Sequence, residues 1–367
     1  MLKVEGLWKT YTVEGGEIPA VRGVGFTVET GEFFTLLGPS GCGKSTTLRC
    51  IAGLEIPNSG EITLGEIDLF SSRQRRSMPI HKRNIGMVFQ SYAIWPHMSV
   101  YDNVDFPLKV KGIPDRREKV MRALELVGLH HLEDRSATDL SGGQQQRVAI
   151  ARAIVMDVDL LLFDEPLSNL DSKLRIQMRF ELRQLQKQLG ITSIYVTHDQ
   201  EEAMVLSDRV AVMDDGNIVE IGKSQDIYLK PRKLFTAKFV GQSNLLPGEV
   251  VSADGGTATV KTAIGQIAVG AQDSSAPSEG FLMIRPEHIL MSWTKEELFS
   301  SEVNVFEGAV VSETFTGKLV DYRVQVGEFT FEVQMPLRHG VQQQNQVFMH
   351  LPPGRCVMLP KDTPSTS

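Results

Sequence analysis

Residues 38–46 have the residue types and the spacing that bind the phosphates of a nucleotide. The segment reads GPSGCGKST and fits the pattern GxxxxGK followed by Ser or Thr. Its glycines allow backbone N–H groups to turn inward around phosphate oxygens, while the lysine supplies a cation and the following serine a hydroxyl for Mg²⁺. A plain glycine-rich turn before a helix is the alternative. The phosphate-binding loop is expected to comprise Gly38, Pro39, Ser40, Gly41, Cys42, Gly43, Lys44, Ser45 and Thr46.

Two acidic residues end a second apolar segment, LLLFDEP at 160–166. A carboxylate at the C-terminal end of a parallel strand lies near the crevice in which α/β proteins bind phosphates. We expect Asp164 to hold Mg²⁺, directly or through water, and Glu165 to orient and deprotonate an attacking water molecule. The alternative is structural, with Glu165 capping the next turn and Asp164 paired with a lysine. With the phosphate loop, this segment predicts hydrolysis of a nucleoside triphosphate.

A second candidate anion site is LSGGQQQR at 140–147, where a serine and two glycines precede a helical segment. The N-terminus of a helix presents free backbone N–H groups and the positive end of the helix dipole to an anion. We expect Ser141, Gly142, Gly143 and Gln144 to form this site. The alternative is a plain N-cap by Ser141, which holds as local structure in either case.

Apolar periodicity predicts the elements that position these motifs. Residues 1–30 alternate apolar and polar positions, which is typical of antiparallel strands. Short apolar strands are expected at 32–37, 85–90, 160–164 and 191–198, and helices at 44–52, Ser172–Leu189 and within 91–156. Alternation of strands and helices predicts an α/β fold with a mostly parallel sheet that is covered by helices.

The sequence changes character after about residue 240. Segments such as KLVDYRVQVGEFTFEVQM alternate at every second residue and contain glycine turns, which is typical of small antiparallel barrels. The acidic excess also lies there, with 8 basic and 14 acidic residues from Gly241 onward against 30 and 31 before it. We therefore expect an α/β domain at 1–240 with a helical subdomain at about 91–156, a β-rich domain at 241–360 and a tail at 361–367.

Composition limits the classes of function. A net charge of −7 argues against nucleic-acid binding, which usually needs a basic face. No apolar segment is long enough to span a membrane, and the first residues lack the apolar core of a signal peptide. Cys42, Cys50 and Cys356 have no metal-ligand spacing, which favours a reducing cytosolic compartment. Any membrane role is expected to be peripheral.

LSGGQQQR, combined with the two phosphate-site motifs, resembles the nucleotide-binding subunits of ABC transporters, clearly over about residues 1–240 and less sharply beyond. The resemblance implies a P-loop NTPase fold with a RecA-like core, an antiparallel β-subdomain and a helical subdomain, followed by an all-β, OB-like domain of the TOBE type. It also implies that ATP is held by the phosphate loop of one subunit and by Ser141 and Gly143 of a second copy.

Three further segments match landmarks of that family. Gln90, which ends IGMVFQ, matches the glutamine that contacts Mg²⁺ or the water and senses the membrane subunits, although such a glutamine is usually only solvated. His198, which ends SIYVTH, matches the histidine that contacts the γ-phosphate; a buried structural histidine is the alternative. Asp171 of SNLD matches the aspartate of the dimer contact, although Asn169 stands where family members more often have alanine.

The first strand carries two candidates for the aromatic residue that, by the same resemblance, stacks on adenine. Tyr11 is favoured because it precedes the GGEIP turn, and Trp8 is the competing candidate. A role in the core is the alternative for both residues.

Three features resemble ABC importers: no fused membrane span, the segment SYAIWPHMSVYDNVDFPL, and a β-rich tail with VGQSNLLPGEV and MIRPEHI. They imply a homodimer on the cytoplasmic face of the inner membrane that drives two permease subunits, with an extracytoplasmic substrate-binding protein as indirect partner. Ferric iron or a polyamine is the favoured cargo. A sugar or phosphonate importer and a non-transport ABC ATPase are the alternatives. Tyr92, Trp95 and Phe106 either form the permease groove or belong to the core.

Overall fold

The computed structural model of the protein describes residues 1–14, 16–254, 256–270, 277–295, 303–337 and 345–361. The chain separates into two compact units, Met1–Ser224 and Gln225–Ser367. The tail expected at 361–367 lies, apart from Lys361, outside the described residues. Within the described part of the chain, no helix is long and apolar enough to cross a membrane.

The first unit alternates strands and helices, as the sequence predicts. Its strands are β1 (Leu2–Val13), β2 (Gly16–Val28), β3 (Phe33–Leu37), β4 (Ser59–Leu64), β5 (Ile67–Ser71), β6 (Arg76–Ser77), β7 (Ile85–Val88), β8 (Leu160–Asp164), β9 (Thr192–Thr197), β10 (Arg209–Asp214) and β11 (Asn217–Lys223). Its helices are α1 (Lys44–Ala52), α2 (Val100–Val110), α3 (Arg116–Leu126), α4 (Gly142–Ile154), α5 (Ser172–Leu189) and α6 (Gln200–Leu206). The bounds of β8, α1 and α5 are those predicted from the sequence.

The central sheet has the strand order β11-β10-β3-β9-β8-β7. Strands β10, β3, β9, β8 and β7 are parallel, and β11 pairs antiparallel with β10. Every residue of β3, β8 and β9 is buried, which explains their continuous apolar sequence. Because the strands are parallel, the segments that follow β3, β7, β8 and β9 emerge at the same edge of the sheet.

Each face of the central sheet has its own core. On one face Phe34 stacks on Phe26 of the antiparallel sheet β2-β1-β4-β5-β6, with ring centroids 5.1 Å apart. On the other face Phe33, Phe163 and Tyr195 meet beneath α2, α3, α4 and α5. The helical spacing that the sequence shows over 91–156 therefore belongs to helices that pack as one subdomain on this face.

The second unit begins with two short helices and continues with antiparallel strands. Its elements are α7 (Ser224–Leu229), α8 (Leu234–Phe239), β12 (Asn244–Asp254), β13 (Thr257–Thr262), β14 (Gly265–Gly270), β15 (Glu279–Ile284), β16 (Leu290–Ser292), β17 (Val305–Phe315), β18 (Leu319–Val326), β19 (Phe329–Pro336), β20 (Gln346–His350) and β21 (Val357–Pro360). The strands form the sheets β14-β13-β12-β15-β21 and β16-β20-β17-β18-β19. Leu246, Leu282 and Phe331 belong to the core that both sheets share, and the predicted β-rich domain is confirmed.

Arg285, in the predicted segment MIRPEHI, attaches α7 and α8 to the β-rich unit. Its fully buried guanidinium donates to the carbonyl oxygens of Tyr228 (2.7 Å), Gln242 (2.9 Å) and Ala237 (3.3 Å), and it lies 4.3 Å from the centroid of the Tyr228 ring. Burial lowers the pKa of this guanidinium. These contacts explain why the compact unit begins at Gln225, whereas residue 240 stays a prediction of where the α/β domain ends.

Replacing Arg285 by methionine is expected to lower the free energy of unfolding of the second unit by about 3 kcal/mol, because buried carbonyl oxygens lose their donors. Urea unfolding followed by Trp293 fluorescence, in a chain whose Trp8 and Trp95 are phenylalanine, measures this change. Arg323→Met is the control, since Arg323 is exposed and its ion pair with Glu332 spans 3.7 Å. Equal unfolding midpoints for the two variants would contradict the prediction.

Candidate functional site

The loop between β3 and α1 has a backbone shape that requires glycine. Gly41 and Gly43 have φ angles of +84° and +97°. A Cβ atom on Gly38 would lie 2.3 Å from the carbonyl oxygen of Met213, and one on Gly43 would lie 2.2 Å from that of Ala20. Side chains are therefore excluded at 38 and 43 by lack of space and disfavoured at 41 by conformation.

Lys44 lies inside the curve of this loop. Its side chain is 4% exposed, and its Nζ donates to the carbonyl oxygens of Gly38 and Pro39, both at 2.8 Å. A buried ammonium group needs such partners, and here the loop itself supplies them. Burial raises the pKa of the neighbouring Cys42 thiol. The loop thus holds one cation where phosphate oxygens would bind, while Ser40 is exposed and Thr46 is half-buried on α1.

Ser45 and Asp164 form a cluster of oxygen ligands beside the loop. The hydroxyl of Ser45 donates to Oδ1 of Asp164 at 2.6 Å, and Asp164 is 5% exposed. The ionic partner of Asp164 is Arg49 of α1, at 3.5 Å, and not the lysine considered as the structural alternative. A hydroxyl and a carboxylate are the hard oxygen ligands that Mg²⁺ prefers, so these residues fit that ion.

Glu165 is held in a strained backbone conformation with its side chain directed at His198. Its φ angle is +47°, and its Oε2 lies 3.1 Å from Nδ1 of His198. The carbonyl group of Glu165, rather than its carboxylate, closes the next turn by accepting from the Ser168 hydroxyl at 2.9 Å. The His198 side chain is 54% exposed, so it is not a buried structural histidine. Strain of this kind in an otherwise well-packed loop is typical of functional positions.

Hydrogen bonds fix the backbone on both sides of His198. The Thr197 hydroxyl donates to the carboxylate of Glu202 at 2.7 Å and accepts from the Asp199 N–H at 2.9 Å. Asp199 caps α6 by accepting from the Glu202 N–H and forms an ion pair with Arg179 of α5 at 2.8 Å. Burial raises the pKa of Glu202. Strand β9 ends at Thr197, so the prediction that His198 itself ends the strand is wrong. His198 follows the strand directly and lies between two residues that these bonds hold in place.

Gln90 follows β7 in a loop. The strand ends at Val88, so the prediction that Gln90 itself ends the strand is wrong, and the side chain is exposed. The backbone carbonyl of Gln90 accepts from Nδ2 of Asn169 at 2.9 Å. The sequence singled out Asn169 only as a departure from the family pattern, whereas the structure gives its amide group a partner in the loop after β7.

Ser141 is the N-cap of α4, as the structural alternative also requires. Its hydroxyl accepts from the Gln144 N–H at 3.4 Å, and the Gln144 side chain accepts from the Ser141 N–H at 3.0 Å, which completes a capping box. A Cβ on Gly143 would lie 2.8 Å from the Leu174 side chain of α5, whose N-cap is Asp171. The N-termini of α4 and α5 are therefore adjacent, and Ser141, Gly142 and Asp171 are exposed.

Neither aromatic candidate for adenine stacking belongs to the core. Trp8 is 44% exposed, and Tyr11 is half-buried. Tyr11 is opposite Ile18 in the β1–β2 hairpin, and the carbonyl of Ala20, two residues along β2, lies against Gly43 of the phosphate loop. Tyr11 therefore lies between this contact and the turn of the hairpin.

The profile of the family described as ABC transporter matches residues 21–168, and that of the TOBE domain matches residues 282–359. An Fe(3+) ions import ATP-binding protein of Rhizobium meliloti is 42% identical over 323 residues, which are 88% of each chain. The chain belongs to the ATP-binding proteins of ABC transporters. The family predicted from the sequence is confirmed.

Similarity to one further protein and to one solved structure supports this family membership. The chain is called the ABC protein from here on. The trehalose/maltose import ATP-binding protein of Thermococcus litoralis is 49% identical over 258 residues, 69% of this chain and 68% of that protein. A dimeric structure of the ATP-binding cassette MJ0796 in a post-hydrolysis state, bound to ADP and Pi, matches with a TM-score of 0.53 and 32% identity over 61% of this chain and 99% of its own. The ABC protein is the ATP-hydrolysing subunit of an importer, with a P-loop NTPase core and a TOBE domain.

Sequence reasoning missed Arg49 and Arg152. Arg49 pairs with Asp164, and Arg152 donates to carbonyl groups of the loop after Gln90. A basic residue in the last turn of a helix is explained by the helix dipole alone, so neither arginine gave a signal. Tyr92, one of the three aromatic candidates for permease contact, is 7% exposed and belongs to the core of the helical subdomain. This is the alternative role that the sequence left open for it.

Proposed function

We propose that two copies of the ABC protein enclose ATP between them, with the phosphate loop of one copy facing Ser141, Gly142, Gly143 and Gln144 of the other. The exposed N-terminus of α4 supports this proposal, because its N–H groups and dipole favour an anion and the first turn of α4 carries no acidic residue. Asp171, exposed beside it, would contact the second copy. The dimeric structure of MJ0796, bound to ADP and Pi, is consistent with such an arrangement.

Within each site, Ser45 and Asp164 would hold Mg²⁺, with Gln90 as a further ligand. The Ser45–Asp164 contact of 2.6 Å supports this assignment, because it brings two hard oxygen atoms together beside Lys44. When bound, the ion neutralises negative charge on the phosphate oxygens. Lys44 binds the β- and γ-phosphates, so the triphosphate is oriented before water attacks it.

Glu165 is the proposed general base, and its placement carries the proposal. Its carboxylate follows the Mg²⁺ ligand Asp164 directly and lies 3.1 Å from His198. His198 is exposed, which leaves it accessible to the γ-phosphate while it orients the base. Glu165 would accept a proton from the attacking water as the water oxygen bonds to the γ-phosphorus and the bond from that phosphorus to the β–γ bridging oxygen breaks, which releases ADP and inorganic phosphate. Tyr11 is proposed to stack on adenine beyond the phosphate loop.

The proposed partners are two permease subunits in the inner membrane, with the ABC protein on the cytoplasmic face and a substrate-binding protein outside. Half-buried Trp95 and Phe106, whose ring centroids are 4.4 Å apart, are candidates for the permease contact. Ferric iron and a polyamine are the first cargoes to test, because a relative named for Fe(3+) ions matches 88% of the chain and one named for spermidine/putrescine matches 89%, whereas the trehalose/maltose relative matches 69%. A sugar and a phosphonate are the other candidates.

Affinity purification from cross-linked membranes of the native host tests this proposal. The tagged full-length protein is expected to recover polytopic permease subunits, and the binding protein that accompanies them identifies the cargo. Phe106→Ala should reduce this recovery, whereas Phe180→Ala should not, since Phe180 is an exposed phenylalanine on α5. Recovery of ribosomes or nucleic acid in place of permeases would favour the non-transport ABC ATPase.

A further inference from the structure

The segment that follows Gln90 is bound through its backbone by side chains from two different elements. Asn169 donates to the carbonyl oxygen of Gln90 at 2.9 Å. Arg152 donates to the carbonyl oxygens of Tyr92 at 2.7 Å and Ala93 at 2.6 Å. Three carbonyl groups within four residues are thus held by side-chain donors, which fixes the path of a loop that has no strand or helix of its own.

Arg152, the donor to Tyr92 and Ala93, belongs to α4, the helix that Ser141 caps. Arg152 lies in the last turn of α4 and is 9% exposed. Its guanidinium also lies 4.6 Å from the centroid of the Trp95 ring, which contacts Phe106 of α2. Burial lowers the pKa of Arg152 to about 10, so at neutral pH it stays protonated and donates. A displacement of α4 would therefore act on the loop and on both aromatic rings.

The backbone of the loop shows that these contacts hold it in a conformation it would otherwise leave. Tyr92 and Ala93, which are not glycines, have φ angles of +61° and +48°. Consecutive non-glycine residues in the left-handed region cost conformational energy and persist only where surrounding contacts impose them. The contacts to these two residues include the carbonyl bonds from Arg152, the burial of the Tyr92 ring in the core, and the hydrogen bond from the Tyr92 N–H to the Phe89 carbonyl oxygen at 3.1 Å.

Asn169, the donor to the Gln90 carbonyl, belongs to the loop that carries Glu165. Asn169 immediately follows Ser168, whose hydroxyl donates to the Glu165 carbonyl at 2.9 Å. The Asn169 bond therefore joins the backbone next to Glu165 to the backbone of Gln90. An alanine at this position has no donor group and cannot make the bond.

We propose that Asn169 and Arg152 are positioning residues that hold the 90–95 segment from its two sides, so that ATP binding moves Trp95. Asn169 joins the segment to the Glu165 loop, and Arg152 joins it to the helix capped by Ser141. The inference rests on the proposed roles of Gln90 and Ser141 in ATP binding. Beyond those roles, the inference names Asn169 and Arg152 as the side chains through which ATP binding acts on the 90–95 segment. It also implies that the residue at position 169 determines how far Trp95 responds.

The test uses the full chain with Trp8→Phe and Trp293→Phe, which leaves Trp95 as its single tryptophan. Glu165→Gln is added to stop turnover. MgATP binding is measured by equilibrium dialysis, and the emission and acrylamide quenching of Trp95 are measured on the same samples. MgATP is expected to change both Trp95 signals. Asn169→Ala is expected to reduce the change about five-fold at saturating ATP, since one such hydrogen bond shifts an equilibrium by about that factor.

Asn84→Ala is the matched control, because Asn84 makes the same amide-to-carbonyl bond, to Asp157 at 3.2 Å, at the opposite ends of the strands. It should keep the full Trp95 response. Arg152→Gln should reduce the response as Asn169→Ala does; should it fail to fold, the exposed Asn169 variant still decides. If MgATP binds but the Trp95 signals do not change, or change equally in parent and Asn169→Ala, the inference is overturned. If MgATP does not bind to the parent chain, the proposed ATP site itself fails.

Discussion

Replacement of Glu165 by glutamine is expected to reduce steady-state ATP hydrolysis by about 10²–10⁴-fold, the usual contribution of a general base. Glutamine has nearly the same size and can still contact His198, which lies 3.1 Å from the carboxylate. It cannot accept a proton from water, so the chemical step fails while the binding groups Lys44 and Ser45 remain. Release of inorganic phosphate from the purified full-length protein measures the change.

The same variant should accumulate as a dimer when MgATP is added, because hydrolysis no longer separates the two copies. Sedimentation velocity with and without MgATP detects this change in mass. Glu133→Gln is the control, since Glu133 makes an ion pair with Arg117 at 3.0 Å on another part of the chain and should leave turnover intact. A Glu165→Gln protein that hydrolyses ATP at nearly the parent rate would remove Glu165 from the role of base.

Mixing two inactive variants is expected to restore activity if each site combines residues of two copies. Lys44→Ala removes the buried cation of the phosphate loop, and Ser141→Arg places a bulky side chain at the exposed N-terminus of α4. Each variant alone should lose about 10²-fold or more of its turnover, because positioned charges supply most of the catalysis in phosphoryl transfer. A mixed dimer, however, has one site with an intact loop and an intact Ser141.

Phosphate release by the two variants, measured separately and after mixing at equal concentration, decides between shared and separate sites. Mixing should raise turnover about ten-fold or more above either variant. Ser99→Arg controls for the loss of an N-cap, because Ser99 caps α2 by accepting from the Asp102 N–H at 3.0 Å. If every mixture stays as inactive as its components, each chain contains a complete site and the proposed sandwich is wrong.

Much of the fold could be predicted because the signals are local. Strand β8 and helices α1 and α5 have the bounds expected from the sequence, since apolar runs, glycine and cap residues act within a few positions. The motif at 38–46 likewise predicted a turn whose glycines have positive φ or no room for a side chain. Parallel pairing of β3, β8 and β9 then follows from their alternation with helices.

The sequence by itself determined the family, the phosphate loop and the order of the elements, because these depend on residues close together in the chain. Only the tertiary structure decided which side chains meet across elements: Arg49 with Asp164, Asn169 with Gln90, and Arg152 with the carbonyls of 92 and 93. Such partners are far apart in sequence, and a polar residue on a helix or loop has many solvent-exposed alternatives. Packing removes those alternatives, which is why the partners become specific only once the sheet and its helices are assembled.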